Sequence, residues 1–364
     1  MPSPTSTPDT GDTDLHTPLS GVPLTQGQLP KYASWAVLAV AALFGLGLWW
    51  LADWNIAGAA IVAAAAYAVV IYAWSRTVEG PRKAKDRLVT ALVTGAFLLA
   101  LLPLISVIVT VVSKGLARFD SEFFTHSMRG VLGEGGGVYH AIMGTLIITG
   151  LATVISVPVG MLTAIYLVEY GKGKLAKAIT FFVDVMTGIP SIVAGLFAYS
   201  LFALLFDNTG IRMGMMGAIA LSVLMTPVVV RSTEEMLKLV PNELREASYA
   251  LGVPKWRTIL KVVLPTALAG IATGVTLAIA RVIGETAPLL VTVGITTGDN
   301  FDPFDDRMAT LPVFAYYQYV APGTPPEPSL DRAWAAALLL IIIVMVLNLI
   351  ARLISRLFAP KTRG

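Results

Sequence analysis

Runs of about 20 apolar residues recur along the chain, at approximately 33–52, 55–74, 88–112, 139–167, 179–206, 214–233, 266–295 and 333–355. A helix rising 1.5 Å per residue crosses the roughly 30 Å hydrocarbon core of a bilayer in about 20 residues. Inside hydrocarbon every backbone N–H and C=O must find its partner within the protein, which leaves only helices and closed barrels. Runs of this length predict helices, and hence an all-α, polytopic transmembrane bundle of about eight. Composition agrees: of 364 residues 55% are hydrophobic and 13% charged, whereas soluble domains carry about a quarter charged residues. Cysteine is absent, which excludes disulfides and thiol chemistry. The scattered His16, His126 and His140 read as solvated or loop residues, so no metal site is expected.

Residues 1–30 are rich in Pro, Thr, Ser and Asp and lack apolar periodicity. Such a segment cannot bury enough surface to fold and is expected to be a disordered tail. It has neither a basic n-region nor a small-residue cleavage signal, so no removable signal peptide is expected. The first two runs are joined by the short turn Asp53-Trp54-Asn55, with Trp49, Trp50 and Trp54 as interfacial anchors at one side and Tyr72 and Trp74 at the other, which predicts a helical hairpin over 33–74. Alternate connections collect the basic residues: Arg76, Arg82, Lys83, Lys85 and Arg87, then Lys172, Lys174 and Lys177, then Lys238, Arg245, Lys255, Arg257 and Lys261, then Arg352, Arg356, Lys361 and Arg363. The opposite side holds only Lys114, Arg118, Arg129, Arg212, Arg307 and Arg332. Both termini are therefore predicted cytoplasmic in a multi-pass protein of the cell membrane. The net charge of +3 is too small to suggest nucleic acid as a partner.

Two connections exceed simple turns, one cytoplasmic at about 234–265 and one external at about 296–332. In the first, Asn242 is a candidate N-cap, Leu244, Ala247 and Leu251 fall at helical spacing, and Gly252 is the expected terminator. Pro254 suits the first position of a second helix carrying Trp256, Ile259, Leu260 and Val263 up to Pro265. Two amphipathic helices meeting at a glycine form either an interfacial anchor or a knob for a partner's groove. The pattern Glu246-Ala247-Ser248, three residues, Gly252, then Val262-x-Leu264-Pro265 resembles the EAA loop of ABC importer permeases, with Ser248 for Ala and Val262 for Ile. That resemblance implies a type I ABC importer permease fold over 88–358, a six-helix core to which the hairpin is added. It also implies that the loop 242–265 docks on a separate ATPase subunit, with Glu246, Ala247, Gly252, Leu264 and Pro265 as its coupling residues. The chain carries no G-x-x-x-x-G-K-[ST] phosphate loop; Gly171-Lys172-Gly173 lacks the hydroxyl residue that would hold Mg²⁺. No enzymatic activity or cofactor is expected of the chain itself, with ATP and Mg on the partner ATPase.

Four ionisable residues lie in or near the apolar runs: Asp184, Arg231, Arg281 and Glu285. A charge at the bilayer centre costs roughly 2.5–3.5 kcal/mol on insertion scales. Arg281 and Glu285 stand at i, i+4, a spacing that puts both on one helix face where they can pair. One reading is a stitch between helices. The other is an anion path, because the planar fork of arginine binds tetrahedral oxyanions in bidentate fashion and stays charged when desolvated. Arg231 lies near the cytoplasmic end of its run and can snorkel. Asp184 precedes Gly188-Ile189-Pro190, where a helix must loosen, and faces either the aqueous path or one of the arginines. On the external side Gly133-Glu134-Gly135-Gly136-Gly137 is a flexible loop or an anion-binding set of backbone N–H groups. The 296–332 loop, with Tyr316-Tyr317-Gln318-Tyr319, is a platform for a binding protein or a cap on the bundle.

GIPSIVAGLFAY, TPVVVRSTEEML and RVIGETAPLL followed by TLPVFAYYQY are similar to stretches in the membrane subunits of phosphate importers, over about 139–355. This implies phosphate transport by alternating access, a second, PstC-like permease subunit, two copies of a PstB-like ATPase, and an extracytoplasmic PstS-like phosphate-binding protein, all within membrane lipid. The carboxylate beside the arginines suits phosphate, which keeps an O–H at neutral pH where sulfate has none. Another oxyanion, sulfate or molybdate, and a proton-coupled secondary transporter working through Asp184 and Glu285 remain the alternative readings.

Overall fold

The computed structural model describes residues 27–51 and 55–358. Most of the tail read at 1–30 lies outside the described residues, as do Asp53 and Trp54 of the hairpin turn. Regular structure among the described residues is entirely helical. The chain runs through α1 (Ala33–Leu51), α2 (Ile56–Val78), α3 (Pro81–Gly115), α4 (Ser121–Thr125), α5 (Tyr139–Ile165), α6 (Lys174–Thr187), α7 (Ser191–Leu205), α8 (Gly214–Lys238), α9 (Asn242–Ala250), α10 (Lys255–Thr258), α11 (Leu264–Val282), α12 (Ala287–Thr292), α13 (Leu311–Val320) and α14 (Glu327–Phe358). Among the described residues seven helices are long and apolar enough to cross a membrane, and α6 with α7 makes an eighth crossing if the bent pair counts as one. The all-α membrane bundle predicted from hydropathy is thus the fold observed.

The chain divides into two compact units within α3, one ending at Ser106 and the other beginning at Val107. In the first, Asn55 caps α2 by accepting the Gly58 N–H at 2.6 Å, and α1 packs on α2. Glu79 ties the unit together. Its carboxylate accepts the Leu29 N–H at 3.0 Å, the Ser75 hydroxyl at 2.7 Å, and Arg87 Nε and Nη2 at 2.6 and 2.9 Å, while Arg87 Nη1 reaches Ser34 at 3.2 Å. The Arg87 hydrogen bonds, above all, hold the Glu79 carboxyl down at about 2, so this buried acid is ionised and fully partnered.

The second unit is built on the packing of α5 against α8, to which α11 and α12 add. Ile148, Met225, Val229, Val282, Leu289 and Val293 form its central core. A second cluster around Phe123, Leu311, Phe314 and Ala336 closes one end, and a third around Ala164, Leu237, Val263 and Ile271 closes the other.

Two predicted spans are broken. The run 179–206 bends by 108° between α6 and α7 at Gly188-Ile189-Pro190, because Pro190 has no N–H to donate and disfavours helical backbone at the residue before it. The run 266–295 stops at Val282 and restarts at Ala287 under Pro288. Arg281 therefore stands in the last turn of α11 while Glu285 lies in the turn beyond it, and the shared helix face expected of the pair does not form. Two π-helical turns, Tyr166–Tyr170 after α5 and Ile259–Val263 before α11, flank the α9–α10 segment. Such turns recur at functional sites.

Three readings of polar residues are corrected. His140 is 2% exposed and meets Phe314 edge-on at 5.5 Å, because α5 begins at Tyr139 inside the Phe123–Phe314 cluster. Arg332, expected outside the last span, sits within α14 and is 3% exposed. Its Nη1 donates to the carbonyls of Gly133 and Gly135 at 2.7 and 3.0 Å, and Arg118 Nη2 takes that of Gly136 at 2.9 Å. The glycine loop therefore turns carbonyls toward arginines, and the Gly136 N–H is occupied by Glu122 Oε1 at 3.0 Å. It is an ordered clasp.

Candidate functional site: an arginine cavity and a coupling knob

A cavity of about 200 Å³ lies where the broken α6–α7 span, α8 and the end of α11 meet. Met186, Thr187, Ile189 and Ser191 come from the first, Leu224, Pro227 and Val228 from the second, Arg281 from the third, and Glu285 from the turn that follows it. Breaking both spans is what brings them together: α7 starts at Ser191, and the turn after Val282 swings Glu285 toward the break. Among the described residues Arg281 and Glu285 make no ion pair with each other or with any other side chain. Thr187 donates its hydroxyl to Val183 O at 2.9 Å, while the Ser191 hydroxyl has no hydrogen-bond partner among the described residues. A cation, a carboxylate acceptor, a free hydroxyl and the positive end of α7 thus line one small space.

Arg231 and Asp184 line no part of this cavity. They pair with each other, and Arg231 Nη1 also holds Glu234 Oε2 at 2.9 Å, whose other oxygen takes Lys238 Nζ at 2.7 Å. The alternating series Asp184, Arg231, Glu234 and Lys238 joins α6 to α8. Of the four predicted path residues, the structure gathers Arg281 and Glu285 in one place and Arg231 and Asp184 in another.

The loop 242–265 folds as two arms. Asn242 is the first residue of α9, with Pro241 in the cap position, and Pro254 caps α10, each one place from its predicted role. Between the arms Gly252 has φ +75, its N–H bonds Tyr249 O at 2.9 Å, and the Val253 N–H bonds Ser248 O at 3.2 Å, a Schellman ending. Ser248, the departure from the motif, is buried and shares a 2.8 Å hydrogen bond with Thr258 that locks the arms together. Glu246 and Ala247 are exposed, as are Tyr249, Leu251 and Trp256. Leu264 and Pro265 open α11, so the knob continues directly into the helix whose last turn carries Arg281.

Thr187, Ser191 and Glu169 escaped the sequence reading. The GIPS stretch carried the signal for the first two, a helix start beside a break. Glu169 stood at the end of an apolar run with no local mark of its partner.

Residues 156–364 match the family model described as binding-protein-dependent transport system inner membrane component. The chain is 48% identical over 287 residues to the phosphate transport system permease protein PstA 1 of Mycobacterium tuberculosis strain H37Rv, covering 78% of this chain and 91% of that protein. It is 40% identical over 273 residues to the PstA protein of Pasteurella multocida, covering 75% and 95%. In fold it resembles a chain of a bacterial alginate ABC transporter, with a TM-score of 0.54 at 15% identity over 76% of this chain and 96% of that one.

Proposed function

The chain belongs to the family of binding-protein-dependent transport system inner membrane components, and on that footing we propose that it is a PstA-type permease subunit, moving inorganic phosphate into the cell by alternating access. The observation that carries the reading is the 40–48% identity to phosphate permeases over nine-tenths or more of their length. The Arg281 cavity supplies the chemistry. The guanidinium donates paired hydrogen bonds to two phosphate oxygens, and Ser191 stands ready to donate a third. The Glu285 carboxylate accepts the O–H that phosphate retains at neutral pH and repels sulfate, which has no proton to give. It also weakens the field of Arg281, so that the anion passes instead of lodging.

On this reading the exposed α9–α10 knob meets an ATPase subunit, which supplies ATP, Mg²⁺ and hydrolysis. A second permease subunit completes the path, and a phosphate-binding protein delivers substrate on the outer side, to which the 296–332 loop presents Tyr316 and Tyr319. The termini lie in the cytoplasm. Proton-coupled transport would have no use for the knob.

The test replaces the two cavity charges and measures phosphate uptake against the amount of assembled complex. Arg281→Leu is expected to abolish uptake with assembly intact, Arg281→Lys to retain part of it, and Glu285→Gln to let sulfate compete. Near-normal phosphate uptake in Arg281→Leu would overturn the assignment of the cavity.

A further inference from the structure

A second cavity, larger than that at Arg281, belongs to neither that site nor the coupling knob. It lies in the N-terminal unit, has a volume of about 1010 Å³, and runs between the α1–α2 hairpin and the first half of α3. These elements are joined at one end by the Glu79–Arg87–Ser34 hydrogen bonds. Beyond that hub α1 stays on α2, with Gly45 so close that a β-carbon there would stand 2.9 Å from the Ala63 side chain, while α3 packs closely on neither. A groove opens as a result.

Its walls are apolar along the helices, with Leu38, Leu46 and Trp49 on one side, Leu98 on the other and Ala59 and Ala63 between. Every charged group sits at the hub end: Lys31, Lys83, Asp86, and the Glu79–Arg87 pair. Three cations against two carboxylates leave a single positive charge, and Glu79 is consumed by its own partners. Lys31 and Lys83 are exposed and make no ion pair among the described residues. The three helices that line it are all long and apolar enough to cross the bilayer.

We propose that this groove is a binding site for an anionic phospholipid. Its phosphodiester, with one negative charge, sits between Lys31 and Lys83, and an acyl chain lies along Leu38, Leu46 and Leu98. The match is one of charge and of polarity. Basic pockets between membrane helices recognise anionic headgroups, and an amphiphile with one charged end fits a groove whose charges lie at one end. A helix from another subunit would fill the apolar length but would need an acidic residue placed opposite the two lysines.

The chain has no cysteine, so Thr94→Cys, on the groove wall, gives a unique site for a fluorophore. The labelled full-length chain, with the subunits that accompany it, is placed in nanodiscs containing brominated phosphatidylglycerol or brominated phosphatidylcholine, which quench on contact. Quenching by the anionic lipid is expected at about fivefold lower mole fraction than by the zwitterionic one. Lys31→Gln with Lys83→Gln should bring the two lipids to parity, and Lys31→Arg with Lys83→Arg should keep the preference. Equal quenching in the parent chain, a preference that survives in the glutamine variant, or no quenching by either lipid because protein covers the groove would each overturn the proposal. No transport is measured, so the outcome is independent of the phosphate reading.

Discussion

Arg245 Nε, on the first arm of the coupling knob, donates at 3.0 Å to Glu169 Oε1, a carboxylate 76 residues earlier in the π-helical end of the α5 span. The side chains are 12% and 5% exposed. The same guanidinium holds Val240 O at 2.6 Å and Leu237 O at 2.9 Å, and Lys255 donates to Glu169 O. This ion pair and the hydrogen bonds around it thus tie together the π-helical end of the α5 span, the end of α8 and both arms of the knob. Removing only Arg245 leaves Glu169 buried without its cation, and breaking a buried pair in this way costs about 3–5 kcal/mol. Arg245→Ala should lower the thermal midpoint of the purified complex and abolish uptake. Arg245→Met with Glu169→Leu should recover most of the thermal loss and little of the uptake, since apolar packing replaces the energy but not the link.

Gly252 separates backbone strain from crowding. A β-carbon there would meet nothing within 4 Å, but φ is +75. The left-handed backbone costs a residue with a β-carbon roughly 1–2 kcal/mol, least for asparagine. Co-purification of the ATPase should therefore fall in the order Gly252, Gly252→Asn, Gly252→Ala, Gly252→Val. Full co-purification with the valine variant would show that the bend does not set the docking surface.

Gly195 of α7 lets α12 approach. A β-carbon at Gly195 would stand 2.6 Å from Pro288 Cα and 2.9 Å from Pro288 O, which are backbone atoms that must move. Gly195→Val should push α12 and the preceding Glu285 turn away from Ser191, and reduce phosphate uptake at least tenfold while the ATPase still co-purifies. Gly150→Val is the control, because a β-carbon at Gly150 meets nothing within 4 Å. Equal uptake by the two variants would detach the α7–α12 contact from the cavity.

Orientation is tested by labelling. Asp305 and Lys83 are both exposed, and the distribution of basic residues predicts that they lie on opposite sides of the membrane. In intact cells an impermeant thiol reagent should modify Asp305→Cys and spare Lys83→Cys. The reverse pattern would invert the molecule and put the α9–α10 knob outside.

Hydropathy alone was enough for the class of fold and the approximate position of the crossings, and Gly188-Ile189-Pro190 marked the place where one of them bends. Gly252 was legible as a terminator because its conformation depends on its immediate neighbours. The Arg281–Glu285 pair was misread because i, i+4 spacing implies a shared face only where the helix continues, and α11 ends one residue after Arg281.

The sequence by itself determined that this chain lives in a bilayer, which ends carry its basic residues, and that a bent amphipathic knob projects between two crossings. These are sums over local residues, and local residues suffice for them. Tertiary structure decided which charges meet: Arg231 with Asp184, 47 residues away; Arg245 with Glu169; Arg332 with the glycine clasp; Arg281 and Glu285 with Ser191 around one cavity. A long side chain in an apolar environment takes whatever partner the packing of distant helices brings within reach, and that packing is written in no single stretch of the chain.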